Sequence, residues 1–205
     1  MVDFTDLDLG YEQVVAIHNY IKNTGENLAT RISGNIDKLT NDWVAGDATL
    51  HINNLIDVYN KLVKFIKNSV GALTEATDKV VEVQETRESN GARSEMVGTR
   101  VSGEVDLAGD RAEISGSVKY TSDAAALRSD YDELGQLTDE FKAFADKVNS
   151  DGNTLMDNWH AGNKREETRE ELDNFKTIAI ESHEKMTNAY DQLGIACSNI
   201  ENISE

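Results

Sequence analysis

The stretch NDWVAGDATLHINNLIDVYNKL, Asn41 to Leu62, sets a tryptophan, two further residues and a glycine between two long segments of helical periodicity. A second stretch, DNWHAGNKREETREELDNFKTI, Asp157 to Ile178, does the same in the other half of the chain. Superposing Trp43 on Trp159 offsets the halves by 116 residues and brings much else into step. Leu28 meets Phe144, Ala29 meets Ala145, Leu39 meets Leu155, Gly46 meets Gly162, Tyr59 meets Phe175 and Leu62 meets Ile178. Shared apolar positions on both flanks of a shared turn are the mark of a tandem duplication.

The flanks read as helices. Before Trp43, apolar residues fall at Val14, Ile17, Ile21, Leu28, Ile32 and Leu39; after it they fall at Ile52, Leu55, Tyr59, Leu62, Ile66, Leu73, Ala76 and Val80. Steps of three and four place one apolar stripe on each helix, the seam of a bundle or coiled coil. The second copy repeats it as Leu127, Leu134, Phe141, Phe144, Val148 and Leu155, then Leu172, Phe175, Ile178, Met186, Ala189 and Leu193. Glu171 and Ser182 interrupt that last arm. Each half is thus a helix, a tight turn and a second helix, with arms of about 50 Å at helical rise. The chain has no proline, so nothing of that kind breaks the ladders.

The turn has its own logic. Gly46 and Gly162 supply the conformation that ends a helix, Trp43 and Trp159 cover the end of the seam, and Asp47 or Asn163 can cap the next helix. The turn motif is therefore Trp43, Gly46, Trp159 and Gly162. The seam that drives helix association is carried by Ile52, Leu55, Tyr59, Leu62, Ile66, Leu172, Phe175 and Ile178.

Between the halves, RSEMVGTRVSGEVDLAGDRAEISGSVKY (Arg93–Tyr120) changes period. Val101, Val105 and Leu107 alternate with polar residues, and after Gly109-Asp110 the alternation resumes at Ala112, Ile114 and Val118. Gly-Asp between alternating runs predicts a β-hairpin opposing Leu107 to Ala112 and Val105 to Ile114, with a flexible Gly/Ser linker as the competing reading. The organisation is then 1–92, first hairpin; 93–120, linker or ribbon; 121–205, second hairpin. The fold class is all-α, two long helical hairpins with four-helix-bundle packing joined by a short β-hairpin-like linker.

Charge narrows the function. The chain carries 38 acids and 20 bases, a net charge of −18. Residues 1–92 account for −6 of it and residues 121–205 for −11. A surface of that sign repels phosphates and anionic lipid, which argues against nucleic acid and against membrane binding. The opening MVDFTDLDLG has neither the basic nor the apolar region of a secretory signal, and no apolar run is long enough to span a bilayer. The single cysteine, Cys197, excludes an internal disulfide.

Two hairpins of this length around a tryptophan-containing turn resemble the WXG (ESAT-like) family of small bacterial proteins. The resemblance covers residues 10–86 and 121–201 and rests on Trp43 with Gly46 and Trp159 with Gly162. It implies export by a type VII secretion system without a cleaved signal peptide, from a cytoplasmic start. It also implies antiparallel pairing of hairpins into a four-helix bundle, as homo- or heterodimers. Partners would be a second copy, another WXG-like chain or a toxin, with a homo-oligomer expected. This chain has two residues, not one, between Trp and Gly. It also lacks the family's Tyr-x-x-x-acid signal: Tyr59 is followed at that spacing by Val63 and Tyr190 by Gly194.

Antiparallel pairing within one chain demands a linker that runs the length of the arms. Twenty-eight residues suffice if largely extended at about 3.3 Å each, whereas a closed hairpin returns to within about 5 Å of its start. A true ribbon therefore favours pairing between chains.

Chemistry is sparse. Asp157 and His160 have metal-ligand spacing, but no matching Glu-x-x-His accompanies them. Glu166, Glu167, Glu170 and Glu171 read as a solvated face paired with Arg165 and Arg169. No catalytic, cofactor-binding or metal-binding residue is assigned, and the expectation is a non-enzymatic protein that acts through helix faces. The competing class is a helical dimerisation or spacer module unrelated to export.

Overall fold

The computed structural model describes residues 11–43, 47–90, 98–115, 123–159 and 163–204, less the side chains of 83, 84, 87, 88, 203 and 204. Gly46, Gly162 and His160 lie outside the described residues. Four helices follow one another: α1 (Tyr11–Asp42), α2 (Ala48–Ser89), α3 (Ala124–Asn158) and α4 (Asn163–Ser204). They form the expected all-α pair of hairpins, with α1 and α2 in the first and α3 and α4 in the second. Asp123 opens α3 as an N-cap, its Oδ1 accepting the Ala126 N–H at 3.0 Å.

Every apolar position of the heptad reading except Ile178 is buried. The stripe on α2 is wider than a two-stranded seam needs, because Ile56, Val58, Val63, Phe65 and Val70 are buried as well. Ser182, read as an interruption of α4, sits in the core at 1% exposure.

Contacts gather the chain into two compact units, and each takes a segment of all four helices. The first collects the described parts of 1–26, 64–106 and 145–176. There Asn158 donates to Gln13 at 3.0 Å and Lys147 lies 5.0 Å over the Tyr20 ring, so α1 and α3 run antiparallel. His18 meets Thr74 at 3.1 Å between α1 and α2. Asn68 donates to Glu171 at 3.3 Å, Lys164 pairs with Glu75, and Phe65 stacks on Phe175 with centroids 3.7 Å apart. Here α2 and α4 are antiparallel too.

The second unit collects the described parts of 27–63, 107–144 and 177–205. Arg31 pairs with Glu140, and Lys38 with Glu133 at 2.7 Å, again aligning α1 antiparallel to α3. Asp57 receives both Lys185 at 2.6 Å and Lys61 at 3.1 Å, and Lys61 also reaches Glu181 on α4 at 3.4 Å. Cys197 lies buried with its thiol donating to the Leu127 carbonyl at 3.6 Å, which joins α4 to α3. With α1 antiparallel to α2 and α3, and α4 antiparallel to α2 and α3, the helices α2 and α3 point the same way. Their connection is therefore a crossover, as in bundles with one long connection.

That connection corrects the ribbon. Among the described residues there is no strand, and 98–115 is extended chain. Leu107 does not oppose Ala112, nor Val105 Ile114; the peptide groups find helix side chains instead. In the first unit the Thr99 N–H donates to the Tyr11 hydroxyl at 2.7 Å, and the Asp106 N–H donates to Glu26 Oε1 at 3.0 Å. In the second, Arg111 and Ile114 are bonded through both N–H and C=O to Asn60 and Asn53. Gly109 does not adopt the left-handed conformation that a type I′ Gly-Asp turn requires. Of the alternating positions, Val101, Val105, Leu107 and Ile114 are half-buried, Ala112 is exposed, and Val118 lies outside the described residues. Gly103 permits the close approach: a Cβ there would lie 3.1 Å from Thr74 Oγ1.

Glycines inside the helices separate two effects. Gly34 has nothing within 4 Å of where a Cβ would sit, whereas at Gly152 the Cβ would be 3.0 Å from Leu172 Cδ1. Gly34→Ala should raise the unfolding free energy by about 0.5–1 kcal/mol through backbone entropy. Gly152→Ala should gain less, because Leu172 has to move. Urea denaturation of the two variants beside the parent checks both.

Candidate interaction face

The two tryptophans end their helices alike. Trp43 and Trp159 are 4% and 2% exposed, and the backbone N–H of each donates at 2.9 Å to the carbonyl four residues earlier, of Leu39 and Leu155. Beyond that bond the copies diverge. The Trp43 ring stacks on His51, centroids 5.5 Å apart and planes 11° from parallel. At the other turn Arg165 donates to the Trp159 carbonyl and, at 3.1 Å, to that of Met156. It thereby satisfies carbonyls that the end of α3 leaves without a helical partner. Sequence reading placed Arg165 only among the charge pairs of α4, where it does meet Glu166 at 2.7 Å. The residue at the equivalent position of the first copy is Thr49, which has no such donors.

The seam residues are occupied. Ile52, Leu55, Tyr59, Leu62, Ile66, Leu172 and Phe175 are buried and Ile178 is half-buried, covered by the chain's own helices. Surface left for another molecule lies on the outer sides of the helices.

On α3 and α4 of the second unit that outer side is shaped by two tyrosines and two glycines. Tyr131 precedes Gly135 by four residues, and Tyr190 precedes Gly194 by four. The Tyr190 ring lies over Gly135, where a Cβ would fall 2.8 Å from Cε2; the Tyr131 ring lies over Gly194, where the distance would be 2.9 Å. The rings stack with centroids 4.3 Å apart, and Arg128 sits 5.0 Å over Tyr131. Gly194 is thus the seat of a ring from the neighbouring helix. Beside this clasp runs a groove of about 650 Å³, lined among others by Asp132, Asp139, Asp191, His183, Gln136 and Thr187. Ile180 and Ile195, 59% and 55% exposed, stand on α4 as its largest uncovered apolar side chains. Acidic walls with apolar neighbours suit a basic, amphipathic partner. Among the described residues no group of three His, Cys, Asp or Glu is placed to hold a metal ion, and no helix is long and apolar enough to cross a membrane.

A polar cluster lies between α1 and α3 in the same unit. Asn35 donates to the Asp130 carbonyl at 3.2 Å and to Glu133 at 3.4 Å. Asp130 is 3% exposed and its Oδ2 has no hydrogen-bond partner. Burial, then the neighbouring Asp42 carboxylate, push the Asp130 carboxyl up from 3.8 to about 6.

No protein-family model, curated protein or solved structure matches the chain.

Two outcomes are expected. Trp43→Ala and Trp159→Ala should each cost about 3–5 kcal/mol, measured by chemical denaturation, because each ring is buried at a helix end. Asp130 gives a pH signature. The folded chain holds this proton more tightly than the unfolded one, so the contribution is fully present below pH 3.8 and is lost as pH rises to about 6. The loss is about 1–3 kcal/mol. His18, whose pKa burial lowers, acts in the opposite sense below 6.5. The diagnostic quantity is therefore the difference between Asp130→Asn and parent, which should move in favour of the variant between pH 4 and 7.

Proposed function

We propose that the chain is a tandem WXG-like protein of a type VII secretion system. In this reading it is an exported substrate or the helical partner of one, and it acts by helix-face association without catalysis. The observation that carries the reading is the repeated helix end: two hairpins, each with a buried tryptophan at the end of its first helix whose backbone N–H makes that helix's last bond, to the leucine carbonyl four residues before it. The antiparallel alignment of α1 with α3 is the arrangement that the family resemblance implies for paired hairpins, here made within one chain. Because the seam is internally covered, the partner (a further copy, a WXG-like chain or a toxin) meets an outer face. The acidic groove beside Tyr131 and Tyr190 is the foremost candidate.

In the native host the protein should appear in the culture medium without loss of N-terminal sequence, and should disappear from it when the membrane ATPase of the secretion system is deleted. Export that ignores the ATPase, or no export, refutes the reading and favours a plain helical spacer. Affinity capture should recover a defined protein partner, and Ile180→Asp with Ile195→Asp should reduce its yield while leaving the circular dichroism of the chain unchanged.

A further inference from the structure

Asn53 and Asn60 hold the crossover in a way that reads backbone rather than side chain. Asn53 Nδ2 donates to the Ile114 carbonyl at 3.1 Å while its Oδ1 accepts the Ile114 N–H at 2.9 Å. Asn60 treats Arg111 identically, at 3.0 and 2.8 Å. The spacing is a geometric match. Seven helical residues rise about 10.5 Å, and three extended residues advance about 10 Å, so asparagines one heptad apart meet every third residue of an extended chain.

Side chains add selectivity to this backbone reading. The Arg111 guanidinium donates to Ser33 Oγ at 2.6 Å and to the Ser33 carbonyl at 3.3 Å, and pairs with Asp37. Ile114 rests half-buried three residues later.

We propose that this groove, formed by α1 and α2 in the second unit, is a binding site for an extended polypeptide segment, and that residues 107–115 occupy it in cis. The occupant it would accept in trans is a protein segment in extended conformation with an arginine followed three residues later by an aliphatic residue. Two carboxamide clamps would grip its peptide groups, and Ser33 with Asp37 would select the arginine. The crossover is then a tethered competitor. Its high local concentration keeps the groove closed until a partner segment displaces it.

The test uses the full chain with residues 107–115 replaced by Gly and Ser of equal number. The probe is a fluorescent peptide of sequence LAGDRAEIS, followed by anisotropy. Saturable binding is expected, weakened about tenfold or more when the peptide carries Arg111→Ala or the chain carries Asn53→Ala and Asn60→Ala, since each clamp removes two hydrogen bonds. The chain with its own linker should bind at least tenfold more weakly. Absence of binding to a folded replacement chain, or binding indifferent to these changes, overturns the proposal. A second measurement serves if the replacement chain does not fold. In the otherwise unaltered chain, Asn53→Ala with Asn60→Ala should speed amide exchange of Arg111 and Ile114 at least tenfold while the helix amides hold; unchanged exchange overturns it equally.

Discussion

An extended peptide has donors and acceptors that water or protein must satisfy, and a helix has none to lend from its own interior turns. That constraint governs the connection between α2 and α3. These helices point the same way, so the chain has to return before α3 can begin, and it does so alongside α1 and α2. Side chains on those helices supply what a second strand would have supplied: Tyr11 and Glu26 in the first unit, Asn53 and Asn60 in the second. The linker is thereby part of the fold. Its presence beside α2 accounts for the breadth of the stripe that helix buries, since α2 has α1, α4 and the crossover to face.

Closing the hairpins on one another within the chain changes what is left for other molecules. Residues such as Tyr59, Leu62 and Phe175, which would join separate hairpins, are spent on the core. On the proposed reading, recognition then falls to outer faces, and the groove by Tyr131 and Tyr190 carries acidic charge. The groove by the Tyr131–Tyr190 stack is one such face, and the stack exists because two glycines give each ring a place on the opposite helix.

Much of the fold was legible because burial imposes periodicity. Steps of three and four marked buried positions on all four helices, with Ile178 only half-buried, and the offset of Trp43 from Trp159 pointed to two hairpins. The linker was half legible. Its alternation matched half-buried positions at Val101, Val105 and Leu107 but failed at the exposed Ala112, and period two does not say whether the partner is a strand or a helix groove. Gly109-Asp110 argued for a turn, and the peptide bonds made by Asn53 and Asn60 prevailed. Nothing flagged those asparagines, which on a helix surface resemble any polar residue. The charge of Arg165 was legible, but not its bonds to the Trp159 and Met156 carbonyls at the end of α3, which exist only in the folded chain. The candidate face was less visible still. Tyr-x-x-x-Gly occurs twice, yet each tyrosine uses the glycine of the other helix.

Sequence by itself determined the four helices, the buried stripes and the acidic charge, because each is set by local spacing and composition. Tertiary structure alone decided that the hairpins close on each other, that the linker lies along helices instead of folding on itself, and which face remains open. Those outcomes depend on pairings between residues 50 to 130 positions apart, such as Asn60 with Arg111 and Lys185 with Asp57. Pairings of that kind are fixed by which distant peptide and charged groups find partners, a matter no single window of sequence contains.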